Sequence, residues 1–130
     1  TQFEDDAGRL VLELRAGDGD GAFYFARALV TGAQFDAADA AETPRVSIGG
    51  DDLRGWFAGR GAGLRLPTLA QRRRIADRVV AQGKKEWLRP ERWNATRWPV
   101  FEPQTAAEAS LDRGGNSLVG FRVVVEAPPR

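Results

Sequence analysis

The side chains able to do chemistry in this chain are carboxylates, guanidiniums and aromatic rings. It carries 18 Asp and Glu, 19 Lys and Arg and 4 Trp, with no histidine, cysteine or methionine. That triple absence excludes thiolate nucleophiles, disulfides, Cys/His zinc sites, Ser-His-Asp triads and imidazole general bases together. An enzymatic reading would draw on paired carboxylates, as in glycoside hydrolysis, from Asp51, Asp52, Glu86, Glu91 or Glu102. No spacing brings two of these across a cleft, and Asp51 and Asp52 read better as charges offsetting the dipole at a helix start. The AspGlyAsp string at 18–20 reads as a turn, because the further ligands and distal Glu of a calcium loop are missing. The expectation is a chain without enzymatic activity, metal or cofactor.

The cations are unevenly distributed. Residues 1–53 hold 4 Arg against 11 carboxylates, residues 54–98 hold 12 Lys and Arg against 3, and residues 99–130 hold 3 against 4, which hides a strong segregation behind a net charge of +1. A basic stretch at 60–97 could face nucleic acid or an acidic partner. It could equally pack beside the acidic part of one fold, since Arg suits carboxylates as well as phosphates.

These residues must be positioned by a single domain, 1–130. A length of 130 residues with 42% hydrophobic and 28% charged residues suits one soluble globular unit. The chain starts at Thr1 without an initiator methionine, as expected of a domain cut from a longer protein. Its acidic first residues are unlike a signal peptide, no stretch is long and apolar enough to span a bilayer, and a cytoplasmic location is expected.

The Val- and Leu-rich segment 9–15 predicts a strand, 17–21 a turn and 22–30 its partner, so a hairpin opens the domain. Thr31 and Gln34 have capping-box spacing, predicting a helix of about ten residues to Ala41, and ValSerIle at 46–48 reads as extended. A second helix starts at 49–52 and buries Leu53, Trp56 and Phe57. Thr68 and Gln71 repeat the capping box ahead of a third helix whose apolar face is Leu69, Arg72, Ile75, Ala76, Val79 and Val80, with Arg73, Arg74 and Asp77 outside. From 84 to 104 no period holds, and irregular structure stapled by aromatics is expected. A turn at 114–116 leads to a β-branched closing strand at 118–126. The fold class is α+β: terminal strands paired in one small antiparallel sheet, flanking helices and a long irregular loop region.

In this order the pieces resemble a known family. Leu64-Arg65-Leu66-Pro67-Thr68 is similar to the Arg-Leu-Pro-Thr helix start of formylglycine-generating-enzyme (sulfatase-modifying factor) domains. Residues 23–35 resemble that family's aromatic strand and the Val-Thr-Asn-Ala-Gln-Tyr that follows, 44–57 its Pro-Val-x-x-Val-Ser-Trp segment, and Gly120-Phe121-Arg122 its terminal strand. The resemblance implies a C-type-lectin-like fold. Enzymes of the family use a cysteine pair with copper and related sulfoxide synthases bind iron through histidines, so without either residue type the resemblance here implies a binding scaffold.

Another branch of that fold comprises variable proteins diversified by retroelements, whose ligand contacts cluster just before the final Gly-Phe-Arg strand. The resemblance therefore points to Trp93, Asn94, Thr96, Arg97, Trp98, Phe101, Arg113, Asn116 and Ser117, a mixture of rigid aromatic area and polar donors. Trp56 and Trp87 are expected in the core, while Trp93 and Trp98 stand open between core and contact. A protein ligand is the first expectation, for a variable protein or the sensor module of a multidomain bacterial protein. Nucleic-acid binding through 60–97, with Arg72, Arg73, Arg74 and Arg78 on one helix and Trp rings for base stacking, is the second.

Overall fold

The computed structural model describes residues 2–4, 11–15, 22–36, 38, 40–60, 63–112, 114 and 118–126. They form an α+β fold of two sheets with short helices. The first sheet takes β1 (Gln2–Glu4), β2 (Val11–Arg15), β3 (Phe23–Phe25), β9 (Val124–Glu126) and β4 (Leu64–Arg65), in that order across the sheet and antiparallel throughout. The second takes β7 (Ala107–Asp112), β6 (Arg97–Glu102), β5 (Lys85–Trp87) and β8 (Val119–Phe121). Here β5 and β8 run parallel, with Glu86 opposite Gly120 and Trp87 opposite Phe121.

The predicted opening hairpin is present, with Glu13 opposite Phe25 and Arg15 opposite Phe23; its turn lies outside the described residues. Terminal strands do pair, through Phe25 and Val124. The closing segment, expected as one strand, is split. It gives β8 to one sheet and β9 to the other, crossing between them at Arg122 and Val123.

Both capping boxes form. The Thr31 and Thr68 hydroxyls accept from the backbone N–H of Gln34 and Gln71 respectively, and each Thr backbone N–H donates to the side-chain oxygen of that Gln at 2.9 Å. The helices that follow are shorter than expected. The first, α1, is a single turn (Gly32–Phe35): Asp36 turns to an extended backbone, and at the helix start the N–H groups of Gly32 and Ala33 donate to the Thr43 and Ala41 carbonyls of the returning chain. Ser47 departs from the extended reading, with φ of 62°. The second helix, α2, spans Gly50–Arg60, buries Leu53 and Phe57, and half-buries Trp56.

The third, α3, ends at Arg74 (Leu69–Arg74). Beyond it, Arg78 N–H donates to Ile75 in a tight turn and Val80 N–H docks on the Arg27 carbonyl, so the chain leaves the helical path to meet the first sheet. Ile75 and Val79 still face the core, but Val80 is 49% exposed.

The largest correction falls on 84–104. It holds β5 and β6 rather than irregular structure, and with β7 it makes a six-pair hairpin from Arg97 opposite Asp112 to Glu102 opposite Ala107. Pro99 explains why the strand was hidden: its carbonyl accepts from Leu88 N–H at 3.0 Å, and it has no N–H to return. The ladder between β5 and β6 ends at that point, so the missing donor disrupts nothing.

Two cores result. The main one lies between the sheets, where Trp87, Trp98, Val100, Val119 and Phe121 meet Leu53 and Phe57 of α2 and Leu64 and Leu66. The smaller one sits on the other face of the first sheet, joining Phe23, Phe25, Val124 and Ile75. Gly120 eases a close approach, since a Cβ there would lie 3.1 Å from Leu29 Cδ1, which would have to shift by a few tenths of an ångström.

Where α3 packs on the face of the second sheet opposite the main core lies a buried charge cluster. Arg72 of α3 donates to both Glu86 carboxylate oxygens at 3.0 Å, Arg122 donates to the same two at 3.1 and 3.4 Å, and Arg122 Nη1 reaches the Ala26 carbonyl at 2.7 Å. Burial pushes the Arg122 guanidinium below its ordinary value, and Glu86 opposes that fall. Because the lowered group is a base, the cost of burying its charge is present throughout the pH range below its folded value, and acid does not relieve it.

Candidate functional site

The segment just before β6 is tied down by Arg89. Its N–H donates to the Pro67 carbonyl at 2.9 Å, its Nε to Leu66 at 3.0 Å, and its Nη2 pairs with Glu126 at the end of β9. Pro90 beside it is buried. From this anchor the chain crosses the surface through residues 91–96, closing a turn where Ala95 N–H donates to Arg92 at 3.1 Å.

Trp93 is half-buried, with ring centroids 5.9 Å from Phe57 and 5.3 Å from Trp98, so it props the loop on the main core. Asn94, Thr96 and Arg97 are exposed. Arg97 is held at the start of β6 by Ser110, through the hydroxyl at 3.1 Å and the carbonyl at 2.6 Å.

The alternation along β6 separates the expected contact residues. Arg97 faces out while Trp98 is 0% exposed, against Trp87 at 5.7 Å between ring centroids. Phe101 is 2% exposed and lies beneath the Arg72 guanidinium, 4.3 Å from ring centroid to Cζ. Trp98 lies on the inner face, and Phe101, on the same face as Arg97, is covered by Arg72 of α3, so neither offers ring area to a ligand. Trp93, Asn94, Thr96 and Arg97 are brought together; Arg113, Asn116 and Ser117 lie outside the described residues.

The loop forms a ridge between two grooves that share Arg89 and Glu91. One, of about 510 Å³, runs between α2, β4 and the loop, with Arg54, Phe57, Arg65, Leu66, Arg92 and Trp93 among its walls. The other, of about 530 Å³, lies against the outer face of the β6–β7 hairpin and includes Arg97, Pro99, Glu108 and Ser110. Arg65 falls within the basic stretch 60–97, whereas Arg54 precedes it and was missed; the packing of α2 and β4 brings the two alongside the aromatic segment. A third groove, about 300 Å³, has Arg72 and Glu86 at its floor and Val79 and Val80 on its walls.

The arginines of the 72–78 run are engaged within the fold. Arg72 is paired with Glu86, Arg73 donates through two nitrogens to the Ala106 carbonyl, and Arg74 and Arg78 lie over the rings of Phe23 and Phe25. Of the rings considered for base stacking, Trp87 and Trp98 are enclosed and Trp56 stacks on Phe35 at 5.9 Å while donating to its carbonyl. Among the carboxylates, Glu86 is consumed by the buried cluster and Glu102 pairs with Lys85 at 3.7 Å. Among the described residues, no three acidic side chains come together as metal ligands, and no helix is long and apolar enough to cross a membrane. No family model, no curated protein and no solved structure matches the chain, so the family resemblance stands on its sequence strings.

Proposed function

We propose that the chain is a non-catalytic ligand-binding domain on a C-type-lectin-like scaffold, recognising a protein through the loop at 89–96 and the outer face of the β6–β7 hairpin. It would serve in the cytoplasm, as the sensor module of a larger bacterial protein or as a retroelement-diversified variable protein. The observation that carries this reading is the ridge itself: exposed Asn94, Thr96 and Arg97 stand on a loop braced by Trp93 and Arg89, with a groove on either side. Adaptable polar groups over a rigid aromatic support suit recognition surfaces. The paired terminal strands, the capped Arg-Leu-Pro-Thr segment and the buried Gly-Phe-Arg strand support the scaffold.

The test is a selection of displayed peptides on the immobilised chain, repeated with N94A/T96A/R97A. The expected result is a set of binders that lose the triple variant while its melting temperature stays at the parent value. Absence of binders, or binders indifferent to the three substitutions, overturns the reading.

A further inference from the structure

We propose that the groove between α2, β4 and the 89–96 loop takes an acidic peptide segment, with its carboxylates on Arg54, Arg65 and Arg92. The proposal rests on the ligand-binding reading above and adds the chemistry of the ligand.

Three elements each contribute one of these guanidiniums, and all three are exposed. Among the described residues none of the three has a carboxylate partner. This distinguishes them from Arg72, Arg89 and Arg122, which are ion-paired, and from Arg73 and Arg97, which are held by oxygens of the fold. Cations gathered around one concavity raise the local concentration of anions and favour an anionic occupant. Below them the groove is apolar, through Phe57, Leu66, Pro90 and Trp93. Its volume of about 510 Å³ falls in the range of ligand sites. One wall is β4, an edge strand of the first sheet, so an extended segment can lie along it.

A peptide fits better than a polynucleotide on two counts. Glu91 lies in this groove and Glu108 in the adjoining one, where a continuous phosphate chain would meet like charge, whereas a peptide carries its carboxylates on flexible side chains that can turn from Glu91 towards the arginines. The groove's one Trp, Trp93, is packed against Phe57 and Trp98 and offers a poor platform for successive bases.

The experiment measures binding of a fluorescein-labelled hexaglutamate peptide by polarisation, beside labelled hexalysine and labelled oligothymidylate. Hexaglutamate is expected to bind, hexalysine is not, and the affinity is expected to fall as ionic strength rises from about 0.01 M to about 0.1 M. R54Q/R65Q/R92Q should weaken hexaglutamate by roughly ten- to a hundredfold, as three exposed charge contacts vanish together. The charge-matched control R27Q/R73Q/K84Q, outside the groove's lining, should change it less than twofold. Equal losses in both variants, or no binding of hexaglutamate, overturn the proposal. So does oligothymidylate binding more tightly than hexaglutamate and losing more with the groove variant, which would make the groove a nucleic-acid site. If displayed peptides still require Asn94, Thr96 and Arg97 while hexaglutamate fails, the acidic groove falls and the ligand-binding reading stands.

Discussion

Glu86 on β5 accepts Nε–H and Nη2–H of Arg122, 36 residues later in the chain, at 3.1 and 3.4 Å, and thereby joins a strand of one sheet to the crossover that leads into the other. The same carboxylate is also gripped by Arg72, so two buried cations share one buried anion. The cluster carries a surplus positive charge in an enclosed place, where unpaired charge is costly.

Removing the anion should therefore hurt far more than removing one cation. Glu86→Gln leaves two guanidiniums without a counter-charge, and a loss of about 3–5 kcal/mol in unfolding free energy is expected. Arg72→Met keeps the neutral Glu86–Arg122 pair and retains apolar contact with Phe101, so its loss should be clearly smaller. Urea denaturation of both variants checks the order; equal losses would show that Arg72 contributes as much as the anion it binds.

Trp98 contributes ring volume, and among the described residues its buried indole N–H has no acceptor, nor has that of Trp87. Trp98→Phe relieves an unsatisfied donor worth about 1–3 kcal/mol while opening a small cavity, so the two effects should nearly cancel. Trp98→Ala should cost about 3–5 kcal/mol. Thermal unfolding of the pair measures the difference, and a Phe variant as damaged as the Ala variant would point to an acceptor for that N–H.

Arg89 is a positioning residue for the candidate surface. Arg89→Lys keeps the charge but cannot reach Leu66, Gln71 and Glu126 together through one flexible ammonium. Faster amide exchange at residues 92–96 is expected, with the protection of Trp87 and Phe121 in the second sheet unchanged. Uniform acceleration across the chain would mean that Arg89 holds the whole fold rather than the loop.

Much of the fold was legible because local signals agreed with the final structure. Thr31 with Gln34 and Thr68 with Gln71 marked true helix starts, and Leu53 and Phe57 marked a true buried face. Helix ends were not legible. The end of α1 falls where Asp36 takes an extended backbone, and beyond α3 the chain is held by the Arg27 carbonyl; no local pattern encodes either.

The β6–β7 hairpin was hidden by Pro99 and by an edge strand, AEASLD, with small and charged residues where β-branched ones would be expected. The candidate site was legible in part: Arg97 and its neighbours were found, whereas Trp98 needed the register of β6 to be placed inside and Phe101 needed the packing of Arg72 over it. The contribution of Arg54, outside the basic stretch 60–97, depended on tertiary packing alone.

The crossover at Arg122 also bears on how the chain acquires its structure. Residues 119–126 supply a strand to each sheet, β9 between β3 and β4, and β8 against β5. During synthesis the earlier strands must wait, with β3 and β4 lacking the strand that lies between them, until this stretch emerges. Closure is then a late event dominated by contacts between distant parts of the chain, which makes for slow folding and places the period of greatest exposure to aggregation just before its completion.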